Sequence, residues 1–334
     1  MTPTEPNAWA VFLWAVLGLG LVVYAVTGGA DLGAGLWSLL ARGPRAEQQQ
    51  NAVRGAIAPI WEANHVWLIF VIVLMFSAFS RAFSALATAL HIPLALSLLG
   101  IVFRGSAYAF RAYGIQSARA GQNWERVFAW ASLITPLCLG LVVGGVASGE
   151  IRVVEGAVSS GFLAGWTSPF ALAVGCFALA LFAMLAAVYL AAESSGELAR
   201  DFTRRALIMQ GISAALAALT FALSWRYAPE LHANLAHSRF SWPIQILTAG
   251  FAIGCIVLLL QKRTRAARYS AAAQVACVVL GWGLAMDGHF ILPDMSLARA
   301  STNPQVMPAL GIALCGGSLL LAPALFYLYR VFEK

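Results

Sequence analysis

The chain has 334 residues, of which 60% are hydrophobic and only 10% are charged, and its mean hydropathy is +0.78. These values exclude a soluble globular domain and indicate an integral membrane protein with several spans. The net charge of +7 does not indicate a nucleic-acid partner, because no basic patch interleaved with aromatic side chains is present.

Nine apolar segments are long enough to cross a bilayer, which takes about 20 helical residues. We expect helices because lipid offers no hydrogen-bond partner to an unpaired peptide group. The nine spans divide into two four-helix bundles plus one extra helix, within a single all-α membrane domain over residues 1–334. The segments lie near residues 8–39, 57–79, 82–103, 124–147, 167–191, 204–225, 242–261, 271–291 and 308–331.

The first segment is long for one span and contains Gly28-Gly29, which indicates a helix that tilts, kinks or extends past the membrane interface. No basic region or small-residue cleavage site precedes it. We therefore expect a retained helix rather than a signal peptide.

The basic residues predict the orientation. Of 21 lysines and arginines, sixteen fall in one set of connections and only five in the opposite set. Cytoplasmic connections retain Lys and Arg, so this asymmetry places the N-terminus outside and the C-terminus in the cytoplasm.

Motifs of a self-contained enzyme are missing from the sequence. It has no nucleotide-binding glycine loop, nucleophile elbow or HExxH zinc motif. Its five cysteines lie in apolar runs without CxxC or zinc spacing, which is typical of small buried membrane residues.

Two carboxylates within apolar segments are the main candidates for chemistry. Asp31 lies six residues, or about 9 Å of helix rise, before Trp37, and Glu62 lies roughly 8 Å from the inner end of the second segment. The glycines around Asp31 allow close approach of another helix. A proton-uptake path from the cytoplasm is the functional interpretation, because burial favours the neutral form of a carboxyl group and so permits proton exchange. The alternative is that each carboxylate caps or hydrogen-bonds a helix near the interface.

Polar neighbours of Glu62 extend this candidate path. His65 lies one turn deeper on the same helix face, and Trp61 and Asn64 are expected to support it. His91 is predicted near the middle of the third segment. Two histidines on adjacent helices suggest a haem or metal site, but no second matched pair exists. A buried imidazole that extends the path from Glu62 is therefore preferred.

Arg104 follows the third segment and allows two interpretations. Its side chain either anchors the helix at the cytoplasmic interface or provides a counter-charge to Asp31 or Glu62.

Three motifs make the chain resemble subunit II of the cytochrome bd-type quinol oxidases, a family that includes the cyanide-insensitive branch. The stretch 29–35, Gly-Ala-Asp-Leu-Gly-Ala-Gly, is similar to the family's Gly-Phe-Asp-Leu-Gly-Val-Gly. The stretch 59–68, Pro-Ile-Trp-Glu-Ala-Asn-His-Val-Trp-Leu, is similar to its Pro-Val-Trp-Asp-Gly-Asn-Glu-Val-Trp-Leu. Phe103-Arg104-Gly105, followed by Arg111, is similar to its third-helix ending.

The resemblance implies a heterodimer in the bacterial inner membrane. Subunit I would carry the haems, of types b and d, and the quinol site, whereas this chain would bind no haem and no metal. Quinol would be the substrate of the complex. Membrane lipid or quinone and a small single-helix accessory subunit are further expected partners. The family's proton-conducting aspartates correspond to Asp31 and Glu62.

Four of the chain's departures from the family pattern affect the candidate path or its neighbours. Glu62 replaces an aspartate, Ala63 a glycine, His65 a glutamate and His91 a tyrosine. Two other functions remain as alternatives. One is a stand-alone proton-coupled transporter that uses Asp31 and Glu62 at a helix break near Gly28-Gly29, and the other is a b-type cytochrome that uses His65 and His91.

Overall fold

The structure is a computed structural model that describes residues 7–57, 61–113, 118–301 and 305–332. The described residues form thirteen helices and two short hairpins. The helices are α1 (Ala8–Leu39), α2 (Ala46–Ile57), α3 (Trp61–Ala78), α4 (Ser80–Ala89), α5 (His91–Tyr113), α6 (Ala118–Ala147), α7 (Pro169–Glu193), α8 (Gly196–Tyr227), α9 (Pro229–His237), α10 (Ser241–Leu260), α11 (Thr264–Ala285), α12 (Leu297–Ala300) and α13 (Val306–Phe332).

Two antiparallel hairpins connect helices at one end of the bundle, here called the hairpin end (residues 148–168 and 286–301). Strand β1 (Val153–Val154) pairs with β2 (Ala157–Val158), and β3 (His289–Ile291) pairs with β4 (Met295–Ser296). The opposite end, here called the arginine-rich end, comprises residues 40–57, 194–205 and 261–268. Successive long helices run between these two ends.

Local sequence explains where the long helices begin. The Asn7 side chain accepts a hydrogen bond from the Trp9 N–H at 3.2 Å at the start of α1. At the start of α7, Ser168 Oγ accepts one from the Ala171 N–H at 3.2 Å, and Pro169 occupies the first turn. Both are standard N-terminal caps, which satisfy peptide donors that have no partner within the helix.

Within the described residues, six helices are long and apolar enough to span a membrane, and a seventh span results if α3 and α4 are taken together. These six are α1, α7, α8, α10 and the stretches His91–Phe110 and Asn123–Ala147. Val306–Leu320 in α13 is a shorter apolar helix. The described part of the chain is therefore predominantly helical, with helices whose length and composition suit an integral membrane protein.

A sharp bend separates α3 from α4, where the sequence predicted a helix near 82–103. The two helices are inclined by 116° across Phe79, whose side chain is fully buried and whose ring lies 4.8 Å from that of Phe290. The membrane-crossing helix then begins at His91, with Pro93 in its first turn, where a missing N–H costs nothing. Hydrophobicity did not separate α4 from α5, because the end of α4 and the first turns of α5 form one apolar run that reads as a single span.

Helices α1 and α7 contact each other at the centre of the fold. Helix α1 also packs against α3, α6 and α11, and α7 packs against α6, α8 and α11. One buried core lies towards the hairpin end and includes Phe79 and Phe170. The second surrounds the middle of α7 and the second half of α1, which places Asp31 next to it.

Candidate functional site

A buried ion pair joins α1 to α5 inside the bundle. Arg104 Nη2 donates a hydrogen bond to Asp31 Oδ1 at 2.7 Å, and the two side chains are only 4% and 5% exposed. Both Arg104 terminal nitrogens also lie 3.3 Å from the Asp31 backbone carbonyl. Charge this deeply buried is costly unless it is paired, so the pairing explains how both groups are tolerated here.

Helix α6 completes the environment of the guanidinium. Arg104 Nη1 donates to Ser132 Oγ at 3.1 Å, and Ser132 in turn donates to the Phe128 carbonyl at 2.6 Å. The guanidinium carbon lies 4.9 Å from the centre of the Phe128 ring, a cation–π arrangement. Arg104 is therefore held by three helices and does not act as an interfacial anchor, although the sequence-based orientation counted it among the loop arginines.

Glycines bring the neighbouring helices against α1 at this level. A Cβ on Gly33 would lie 2.0 Å from the Phe182 carbonyl oxygen of α7, and a Cβ on Gly35 would lie 2.1 Å from the Ser132 side chain of α6. No side chain fits at either position. The close approach inferred from the glycines around Asp31 is present, and it positions Ser132 against Arg104.

Further polar groups continue along the α1–α6 contact towards the arginine-rich end. Ser38 is seven residues after Asp31, and Glu125 is seven residues before Ser132, so each pair shares a helix face. Ser38 Oγ lies 3.4 Å from Glu125 Oε1, and both Glu125 oxygens lie 3.2 Å from Arg54 Nη2. We call Asp31, Ser38, Glu125 and Ser132 the polar seam. It connects the buried ion pair with the arginine-rich end.

Of the residues predicted for the second segment, the side chains of Trp61 and Glu62 lie outside the described part of the structure. Their backbone opens α3, beside α1. Asn64 is buried at 5% exposure and His65 is half-buried. The structure therefore places the polar residues of the second segment in the first turns of a helix that packs against the helix of Asp31.

His91 does not lie at the depth that the sequence predicted. It is the first residue of α5, is exposed, and its Nδ1 lies 2.9 Å from the Thr88 carbonyl oxygen. Its ring contacts Phe162 at the hairpin end, with the ring centres 5.6 Å apart. The prediction failed because α4 (Ser80–Ala89) occupies residues that were assigned to the start of the third crossing helix, and that helix begins only at His91.

The positions of the histidines argue against a haem held between His65 and His91. His65 is thirteen residues before the end of α3, so the two lie near opposite ends of the bundle, about 20 Å apart along the helix axis. Axial ligands must face the same iron. Within residues 7–57, 61–113, 118–301 and 305–332, no group of three His, Cys, Asp or Glu side chains is placed to hold a metal ion.

The helix break expected for a transporter site is also not found in α1. This helix continues from Ala8 to Leu39 through Gly28-Gly29. The bend in this part of the fold lies instead at Phe79, between α3 and α4.

At the hairpin end, an ion pair links the two hairpin regions. Arg152 donates to Asp294 through Nε at 2.8 Å and Nη2 at 3.0 Å, and the Val153 N–H donates to the same carboxylate at 2.8 Å. The Arg152 hydrogen bonds, assisted by the Val153 amide, hold the pKa of Asp294 below its usual range. Arg152 tethers the two loops.

Ser132, Ser38 and Glu125 were not identified from the sequence. Serine inside an apolar helix is common and does not by itself indicate function, and Glu125 was assigned to the end of a helix. The seven-residue spacing of each pair is a signal, but its meaning depends on knowing that α1 and α6 are neighbours.

Comparisons with known proteins agree with this fold. Residues 9–332 match the cytochrome bd terminal oxidase subunit II family. Among relatives, a putative cytochrome bd menaquinol oxidase subunit II of Bacillus subtilis is 24% identical, with 93% of this chain and 92% of that protein covered. Cytochrome bd-I ubiquinol oxidase subunit 2 of Escherichia coli is 25% identical, with 86% and 83% covered.

Among solved structures, bd oxidase from Geobacillus thermodenitrificans contains a chain that superposes with a TM-score of 0.79. The two chains are 24% identical, and the superposition covers 98% of this chain and 99% of that one. The fold is therefore shared over nearly the whole length. Since the family match also spans the chain, this protein belongs to the cytochrome bd terminal oxidase subunit II family, whose complexes are quinol oxidases.

Proposed function

We propose that the chain is the haem-free subunit of a quinol:oxygen oxidoreductase in the bacterial cytoplasmic membrane. Its partner is a subunit I that carries haems b and d and oxidises quinol. The supporting observation is the family match over residues 9–332. This chain contributes scaffold and a route for protons that are consumed when oxygen is reduced to water.

The proposed topology has nine crossings. The six long apolar helices and α3 supply seven, and α11 and α13 supply the remaining two. Contacts support two groups of four helices, because α5 packs on α6 beside α1 and α3, and α10 packs on α11 beside α7 and α8. Helix α13 contacts α1 and α3 as the extra helix. In this arrangement the arginine-rich end faces the cytoplasm.

The proton route is supported by the buried polar groups of α1, α5 and α6. Asp31 is an ionisable group among apolar helices, and such groups are energetically costly and typically mark ion or proton pathways. The polar seam leads from it towards the end that we assign to the cytoplasm. Ser38 and Asp31 are separated by two helical turns, about 10 Å, so transfer between them needs intermediate water.

Within this route Arg104 is a positioning residue. Its hydrogen bond to Asp31 Oδ1 fixes the carboxylate, while Oδ2 has no hydrogen-bond partner among the described residues. We propose that Oδ2 accepts and releases the proton, and that Glu62 and His65 form a second branch along the start of α3. No comparable observation favours the transporter.

Oxygen uptake with quinol as electron donor tests the route. In the purified complex, Glu62→Gln removes one exchangeable proton with little change in size, and we expect turnover to fall about 10²-fold or more, the usual contribution of positioned proton transfer. Haem content and subunit stoichiometry should not change.

Asp287→Asn is the matched control. It also removes one carboxylate, but at an exposed position of the hairpin end. The backbone of Asp287 is left-handed, with a φ of 46°, and asparagine tolerates this conformation. Its turnover should equal that of the wild type. Wild-type turnover in Glu62→Gln would remove Glu62 from the route, while equal losses in both variants would show that the effect is not local.

A further inference from the structure

A cavity lined by arginines lies at the arginine-rich end, between the residues that follow α1 and the start of α8. Its volume is about 320 Å³. We call it the arginine pocket. Its lining includes Arg42, Arg45, Asp201, Arg204, Arg205 and Ile208.

The charges of the arginine pocket do not cancel. Arg45 donates two hydrogen bonds of 2.7 Å to Asp201, which neutralises the single acidic side chain of the lining. The same contact raises the pKa of Arg45. Arg42, Arg204 and Arg205 form no ion pair with any described residue. The pocket therefore carries three surplus positive charges.

Arg205 is held in place by its neighbours but keeps one hydrogen-bond donor without a partner among the described residues. Its Nη2 donates to Gln49 Oε1 at 2.7 Å, and its guanidinium lies 5.2 Å from the centre of the Trp37 ring. Its Nη1 is buried and has no hydrogen-bond partner among the described residues. A buried donor without a partner is energetically unfavourable, so a small rotation of the guanidinium that brings Nη1 to an anion in the pocket would remove that penalty.

The surroundings of the pocket favour an anion that has an apolar tail. Ile208 lines the pocket and is 50% exposed, and Ile212 and Leu219 follow on α8 with exposures of 40% and 48%. Their spacing of four and seven residues puts all three on one face of the helix. An apolar strip thus runs from the pocket along a helix that is long and apolar enough to span the membrane.

We propose that the arginine pocket binds the phosphate group of an anionic phospholipid, with an acyl chain along Ile208, Ile212 and Leu219. Arginine binds phosphate through several N–H donors, and basic pockets between helices at the cytoplasmic side hold anionic lipid headgroups. The location at the membrane interface and the apolar strip favour a lipid over free phosphate.

Native mass spectrometry of the delipidated, purified complex tests the proposal. Phosphatidylglycerol is titrated into the wild type and into the double variant Arg42→Gln/Arg204→Gln. Neither arginine contacts a described residue through a hydrogen bond or ion pair, so the variant should fold. We expect affinity to fall about 30-fold (about 2 kcal/mol at 1.4 kcal/mol per factor of ten), of which each of the two arginines contributes about half.

Arg265→Gln is the matched control. Arg265 is exposed at the same end of the bundle, at the start of α11, and its replacement removes one charge without touching the pocket. This variant should bind phosphatidylglycerol as the wild type does. Phosphatidylcholine should bind more weakly to the wild type than phosphatidylglycerol, because its choline group meets the surplus arginines.

Three results would overturn the proposal. Equal affinity of the double variant and the wild type would show that the lipid binds elsewhere. If millimolar inorganic phosphate displaced all of the bound phosphatidylglycerol, the pocket would be a site for free anions rather than for lipid. No phosphatidylglycerol binding by the intact complex would indicate that another group, such as an acidic segment of the partner subunit, fills the pocket.

Discussion

The ion pair between Asp31 and Arg104 allows a quantitative test. Arg104→Met replaces the guanidinium with an apolar side chain and leaves the Asp31 carboxylate in a site where it is 5% exposed. Removing one partner of a buried pair costs about 3–5 kcal/mol. An independent figure agrees, since two charges about 4 Å apart interact by about 4 kcal/mol at an effective dielectric constant near 20.

The double variant Asp31→Asn/Arg104→Met separates this charge effect from a general packing defect. It removes both charges and leaves an unpaired amide, which costs about 1–3 kcal/mol. It should therefore be more stable than Arg104→Met alone, by about 2 kcal/mol. Two independent packing defects would instead add.

Thermal unfolding of the purified complex with a thiol-reactive fluorophore measures these differences. Cys255 and Cys138 are 0% and 3% exposed in the folded chain, so they react only when it opens. A loss of 3–5 kcal/mol corresponds to a fall in Tm of roughly 10 °C for a chain of this size. An unchanged Tm for Arg104→Met, or a lower Tm for the double variant than for Arg104→Met, would refute the buried pair.

Three further predictions concern other parts of the fold. Gly33→Ala should destabilise the complex by about 1–3 kcal/mol, because its Cβ would lie 2.0 Å from the Phe182 carbonyl oxygen. Gly211→Ala is the control, since nothing lies within 4 Å of the added Cβ. In the same unfolding assay it should be neutral or slightly stabilising. The pairing with Arg152 that lowers the pKa of Asp294 should stabilise the hairpin end above about pH 4, and this stabilisation should be lost as the pH falls through the lowered pKa. Asp294→Asn should abolish this acid-dependent change in Tm. If the Tm of the variant and of the wild type fell in parallel with pH, the prediction would be contradicted. His91→Ala should leave the number of haems per complex unchanged in a reduced pyridine spectrum, and the loss of one haem would contradict the proposal that this chain binds none.

Composition and hydrophobicity predicted the helical membrane fold, because crossing segments must be apolar and helical. The motif around Asp31 also predicted close helix packing, since only glycine fits where Gly33 meets the Phe182 backbone. The bounds of α1, from Ala8 to Leu39, match the first apolar segment predicted near residues 8–39.

Other features depend on tertiary contacts that hydrophobicity does not report. The bend at Phe79 results from burial of its ring against Phe290, more than two hundred residues later. Arg104 had two interpretations in sequence because its partner lies on another helix, seventy-three residues away. Helix α2 is polar on one face and rich in glutamine, so the search for apolar segments did not predict it.

The most direct test of the account is purification of this chain from its native membrane in mild detergent, with subunit identification and a reduced-minus-oxidised spectrum. The account predicts a stoichiometric membrane partner, b-type haem signals and the red-shifted band of haem d, together with oxygen uptake driven by quinol. A colourless chain that purifies without a partner would contradict the central claim.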